Sequence, residues 1–171
     1  MTAQDNAATV RALNEAYNKR DWDGAIALTA PEVTFVNVAT GQTFQGPEGV
    51  RHFLQGWATA FPDSRVETTL VVADEQGAVV EFRGRGTQTG PLQSPAGDIP
   101  PTGRSVDVPF VQVVEMQQGK IAQARLYFDS MTLLQQLGVV PHPSARAVVE
   151  LRQNWDQLGL LQQIGAIPAP R

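Results

Sequence analysis

RSVDVPFVQVVEM-QQG-KIAQARLYF, residues 104–128, is the stretch that decides the fold. Two runs rich in valine and aromatic residues flank the turn Gln117-Gln118-Gly119, the pattern of an antiparallel β-hairpin. Arg65 to Ala73 and Ala78 to Gln88 repeat it around Asp74-Glu75-Gln76-Gly77. The middle of the chain is therefore a meander of long strands. The first sixty residues read differently. Val10, Leu13, Ala16 and Tyr17 recur at helical spacing, and Asp21-Trp22-Asp23-Gly24 breaks that helix. Asp23 is expected to cap a short second helix, which Pro31 ends. Val33 to Val38 is β-branched and aromatic, a strand. Gly46-Pro47-Glu48 opens a third helix with an apolar stripe of Val50, Phe53, Leu54, Trp57 and Phe61. Helices followed by a strongly twisted antiparallel sheet predict an α+β fold, with the helices packed in the concavity of a curved sheet.

The chain has 171 residues, 42% of them apolar and 18% charged, and no cysteine. A chain of that length buries roughly 70% of its unfolded surface, enough for one cored domain without metal or disulfide. A formal charge of −4 with scattered arginines argues against nucleic acid as a partner. No apolar run reaches the roughly 18 residues of a membrane span. Met1-Thr2-Ala3-Gln4-Asp5 lacks the basic and apolar regions of an export signal, so a cytoplasmic protein is expected. The absence of cysteine excludes thiol nucleophiles and iron–sulfur clusters, and His52 and His142 stand 90 positions apart. No metal site and no cofactor are expected. Chemistry then falls to carboxylates, tyrosines, arginines and amides.

Two segments stand apart. Thr89 to Gly103 carries prolines at 91, 95, 100 and 101 and reads as a lid. Asp129 to Pro141 recurs 27 residues later as Asp156 to Pro168, sharing the pattern D-x-x-x-L-L-Q-Q-[LI]-G-x-[VI]-P. This is a duplicated helix with its glycine stop and proline terminator. The expected organisation is a domain over 1–141 and a C-terminal helical extension over 142–171, covering apolar surface.

The order of elements, together with a set of motifs, resembles a known family. The motifs are Gly46-Pro47-Glu48-Gly49, Trp57, Phe61-Pro62-Asp63, Gly86-Thr87-Gln88-Thr89-Gly90, Pro100-Pro101-Thr102-Gly103-Arg104, Gly119-Lys120-Ile121, and Asp129 followed by Leu133-Leu134-Gln135-Gln136-Leu137-Gly138. The chain is similar, over about residues 5 to 140, to the SnoaL-like polyketide cyclases of the nuclear-transport-factor-2-like superfamily. That resemblance implies a cone enclosing an apolar pocket between sheet and helices. It also implies that Asp129, at the end of the last strand, is the acid/base. Asn37 matches the place where related isomerases carry a general-base aspartate and the cyclases carry asparagine. An amide cannot abstract a proton, but it can hydrogen-bond a carbonyl or enolate.

The residues supply their own argument. Period two puts Asp129, Tyr127 and Arg125 on one face of the last strand, and Phe128 and Leu126 on the other. A carboxylate at an apolar pocket mouth would have its pKa raised toward working pH. As the N-cap of the following helix it would instead have its pKa lowered. Both roles remain open for Asp129. The expected catalytic group is Asp129, Asn37 and Tyr127. The expected substrate contacts are Tyr17, Trp57, Phe61, Phe35, Gln112 and Arg125; Gln112 shares parity with Val108, Phe110 and Val114. Glu81, Arg83 and Arg85 share one strand face and read as a solvated or dimer-facing ladder. The function expected is a cofactor-free acid/base cyclase or isomerase acting on a mid-sized apolar carbonyl compound, polyketide- or terpenoid-like. Its partners are that small molecule and a second copy of the chain, without nucleic acid or membrane. Alternatives are an epoxide hydrolase or pyran-forming cyclase of the same superfamily, and a non-catalytic ligand-binding or dimerisation domain.

Overall fold

The computed structural model describes residues 2–140. The expected extension over 142–171, with His142 and the second copy of the motif, lies outside the described residues. Helix α1 (Ala3–Lys19) starts at a capping box formed by Thr2 and Asp5. Helix α2 (Trp22–Ala27) is capped by Asp21, whose carboxylate accepts from the Gly24 N–H at 2.8 Å. Asp23, the expected cap, lies within the first turn and pairs with Arg51. Strand β1 (Thr29–Asn37) contains Pro31, so the proline does not end the preceding helix. It falls in an irregular stretch between Thr29 and Thr34, where a missing N–H breaks no ladder bond. Strand β2 (Gln42–Gln45), absent from the sequence reading, hairpins back onto β1. Helix α3 (Gly46–Ala60) has proline in its first turn, as expected.

Strands β3 (Arg65–Ala73), β4 (Gly77–Thr87), β5 (Ser105–Gln117) and β6 (Lys120–Phe128) form the meander, and helix α4 (Ser130–Gln136) follows. The β5–β6 turn places Gln118 and Gly119 at φ 49° and 78°, the left-handed pair that a two-residue hairpin requires. The six strands lie in the order β2-β1-β6-β5-β4-β3, an open sheet whose edges are β2 and β3. The sheet is not all antiparallel: β1 runs parallel to β6. That pairing joins the N-terminal third of the chain to its last strand, which no local pattern announces. The register shifts between Thr68 and Leu70 in β3–β4 and between Glu115 and Met116 in β5–β6 interrupt the ladders further.

Val10, Phe53, Phe61, Val80, Val108 and Leu126 are among the buried side chains between helices and sheet. Two primary amides close gaps in the backbone ladder. Asn18 accepts from the Val66 N–H at 2.8 Å and donates to its carbonyl at 2.9 Å, on edge strand β3. Gln136 does the same at Asp107, where β5 runs on past the end of β6. The proline-rich segment Thr89 to Gly103 is pinned from beneath. Gln88 is fully buried; it donates to the carbonyls of Gly90, Ile99 and Pro100 and accepts from the Thr102 N–H and hydroxyl. Gly90 sits so close to α3 that a side chain there would collide with the Thr59 carbonyl.

Candidate functional site

The apolar stripe of α3 faces the inward residues of β4, β5 and β6 and encloses a cavity of about 90 Å³. Its walls are aromatic and aliphatic. Trp57 stacks on Phe61 at 5.7 Å and meets Phe110 edge-on at 5.9 Å, and Phe82 stacks on Phe110 at 5.2 Å. Phe35 closes the far side against Phe53. A second cavity of about 150 Å³ lies toward β2 and the proline-rich segment, sharing Phe53, Trp57 and Leu133 with the first. Each is below the roughly 300 Å³ at which drug-sized pockets begin.

The polar side chains lining the first cavity are Asn14, Tyr17, Ser64, Arg65, Arg85 and Gln112. The Tyr17 hydroxyl is 2.7 Å from the Ser64 hydroxyl. Arg20, the left-handed C-cap of α1, donates to Ser64 Oγ at 3.1 Å and holds its guanidinium 4.7 Å above the Tyr17 ring. Burial pushes the Tyr17 phenol above its ordinary range, so it is protonated at neutral pH. Gln112 is 4% exposed and lines the same cavity from β5. Asn14 lines it too, but its amide donates to Thr68. No Asp or Glu side chain among the described residues lines either cavity.

Tyr17, Trp57, Phe61, Phe35 and Gln112 thus meet at one cavity. Asn37, 3% exposed at the end of β1, lines the second cavity instead. The shared face of Arg125, Tyr127 and Asp129 is the outer one, because Ala124 and Leu126 take the inward positions of β6. Tyr127 is 41% exposed, and Arg125 pairs with Glu115 and Gln123. Of the two pKa directions left open for Asp129, the lowered one of an N-cap is found. Its exposed carboxylate accepts from the Thr132 hydroxyl and from the N–H groups of Thr132 and Met131, which holds it below the ordinary carboxylate range. The geometry is that of an α4 N-cap. Ser64 escaped the sequence reading, since nothing in Phe61-Pro62-Asp63-Ser64 shows that its hydroxyl meets Tyr17.

The comparisons agree with this architecture. A family model for SnoaL-like polyketide cyclase matches residues 7–137. Among solved structures, a proposed SnoaL-like polyketide cyclase from Jannaschia sp. CCS1 is 23% identical, with a TM-score of 0.73 over 82% of this chain and 96% of that one. TsrD from Streptomyces laurentii is 25% identical, with a TM-score of 0.71 over 82% and 99%. AclR, a proposed hydroxylase from Streptomyces galilaeus, is 20% identical, with a TM-score of 0.71 over 96% and 98%. No curated protein matches the sequence.

Proposed function

The chain belongs to the SnoaL-like polyketide cyclase family, and from that premise we propose that it closes a ring in a mid-sized apolar carbonyl compound. Membership supports a small-molecule cyclase or isomerase role; the mechanism is our own reading. An enol carbon flanked by two carbonyls attacks a ketone of the same molecule. The new C–C bond forms as the ketone π pair moves onto oxygen. The new alkoxide takes its proton from the Tyr17 phenol, and the proton lost by the enol hydroxyl as it becomes a carbonyl restores that phenol, so the net change is an isomerisation that consumes no cofactor.

The observation carrying this reading is the placement of Tyr17 and Gln112 in a cavity lined mainly by aromatic and aliphatic side chains. Ser64 accepts from Arg20 and can turn its own proton toward Tyr17 Oη, leaving the phenol proton free for the developing oxyanion. Gln112 orients a second carbonyl. The aromatic walls hold the chain folded, and proximity supplies much of the rate. Tyr17→Phe should cut turnover about a hundredfold, the scale of losing one oxyanion donor. Gln112→Leu should mainly raise KM. The assay follows a ring-closed isomer of unchanged mass formed from a synthetic polyketone. Unchanged turnover in Tyr17→Phe would sink the mechanism.

A second reading, a non-catalytic ligand-binding domain, draws on the lack of a cavity carboxylate among the described residues and on the capping role of Asp129. Tight binding of the polyketone without ring closure would favour it. We propose also that a second copy covers the outer sheet face. There Leu70, Val72, Val79 and Tyr127 are 40–59% exposed, and Val79 is flanked across the strands by Val72 and Val113.

A further inference from the structure

We infer that Arg20 is the positioning residue that lets Tyr17 release its proton: acting through Ser64, it carries the counter-charge of the phenolate left behind. The inference rests on the ring-closing reading above and assigns the group that makes its acid reversible. Once the phenol proton has passed to the new alkoxide, Tyr17 Oη bears a negative charge until the enol proton restores it. Burial in the cavity opposes that charge. Ser64 Oγ lies 2.7 Å from Tyr17 Oη and accepts from Arg20 Nη2 at 3.1 Å. When the phenol is ionised, Ser64 donates its one proton to Oη and keeps its lone pairs for the guanidinium. Anion and cation then stand at the two ends of one hydrogen-bonded chain. The guanidinium carbon also lies 4.7 Å from the Tyr17 ring centroid, over the π face that ionisation makes more negative.

Capping alone does not account for this arrangement. Arg20 ends α1 at φ 58°, a left-handed backbone that glycine adopts more easily, and its N–H already closes the helix on the Ala16 and Tyr17 carbonyls. The side chain does more than that. Nη1 donates to the Tyr17 carbonyl at 2.8 Å, and Nη2 donates to the Pro62 and Ser64 carbonyls at 2.9 Å each. One planar fork therefore fixes both residues whose hydroxyls meet. The neighbouring charges have other contacts. Asp21 and Asp63, each next in sequence to a member of the chain, accept from the Gly24 and Thr87 N–H groups. Arg85, which lines the cavity with Arg65, pairs with Glu67 and Asp107. Among the described residues, Arg20 is the charged side chain that hydrogen-bonds to Ser64.

The test uses the full chain with Tyr127→Phe, which leaves Tyr17 as the sole tyrosine. Biosynthetic incorporation of 3,5-difluorotyrosine brings the phenol's ionisation into the pH range where the protein is folded, and fluorine NMR reads its midpoint. Arg20→Gly keeps the left-handed cap and removes the guanidinium; Arg20→Lys keeps a charge without the fork. The midpoint should rise by about one pH unit in Arg20→Gly, a fall of about tenfold in the ionisation constant, and Arg20→Lys should recover part of it. With the synthetic polyketone, Arg20→Gly should lower kcat about tenfold and leave KM within about twofold. Ser64→Ala, which breaks the chain while keeping Arg20, should raise the midpoint too and serves if the glycine variant folds poorly. A midpoint left in place or lowered by Arg20→Gly, or by Ser64→Ala where the glycine variant does not fold, would overturn the role of Arg20 alone. A raised midpoint in a chain that closes no ring would overturn the reading of Tyr17 as the acid, with the Arg20–Ser64–Tyr17 link intact.

Discussion

Replacing Gln88 with leucine keeps the side-chain volume nearly constant and deletes every hydrogen bond that this side chain makes to the proline-rich segment, while backbone bonds from Thr89 and Gly90 to Ala60 remain. Three carbonyls (Gly90, Ile99 and Pro100) lose their donor, and the Thr102 N–H and hydroxyl lose their acceptor. Each buried group left alone costs about 1–3 kcal/mol, but those near the surface recover water as the segment lifts. The Nε2 group also has only two protons for its three acceptors, so the bonds do not count at full value. A net loss of about 2–4 kcal/mol follows, which for a chain of this size lowers Tm by about 5–15 °C. Hydrogen exchange is the sharper assay. The Leu92, Ile99 and Gly103 amides, bonded within the segment or to the Gln88 backbone, should lose protection first, while amides of β5 and β6 keep theirs. A variant melting within a degree of the parent, with unchanged exchange at those amides, would refute the idea that Gln88 holds the segment.

Asp129→Asn should leave turnover within twofold, because asparagine caps a helix as well as aspartate does; Asp129→Ala should cost about 1 kcal/mol in a denaturant titration. The folded pKa of Asp129 is lowered, so its stabilisation is present above the ordinary carboxylate range and lost as pH falls through the folded value. Tm measured from pH 6 down to about pH 3 should therefore fall less steeply for Asp129→Asn below about pH 4. Loss of activity in Asp129→Asn would instead restore that carboxylate to the chemistry. Val79→Lys should halve the mass found by light scattering if a second copy covers the outer face, and a mass unchanged by it would place the contact elsewhere.

The sequence made legible whatever depends on local period. The α3 stripe, both hairpins and the inward parity of Gln112 follow from spacing alone, and they build most of the first cavity. The facing of β6 was harder. Period two correctly grouped Arg125, Tyr127 and Asp129, but a period does not say which face points inward. The signal lay across the strand pair: Leu126 stands opposite Gln112, so the two share a face. The parallel β1–β6 pairing and the role of Gln88 left no local trace, because both depend on segments brought together only by the folded chain. A glutamine before a proline-rich loop looks polar and ordinary until its five contacts are seen.

The amides of Asn18 and Gln136 bear on how such a sheet avoids growing. An unpaired row of N–H and C=O groups invites a strand from another molecule, and many proteins blunt it with lysine or proline. Here a side chain does the blocking. Each carboxamide gives one hydrogen bond and takes one, as a residue of a neighbouring strand would, yet it has no next residue to offer, because its own backbone is already coiled into α1 or α4. The ladder is answered for one rung and then stops. The molecule resists edge-to-edge polymerisation at these points by imitating a strand that cannot be extended.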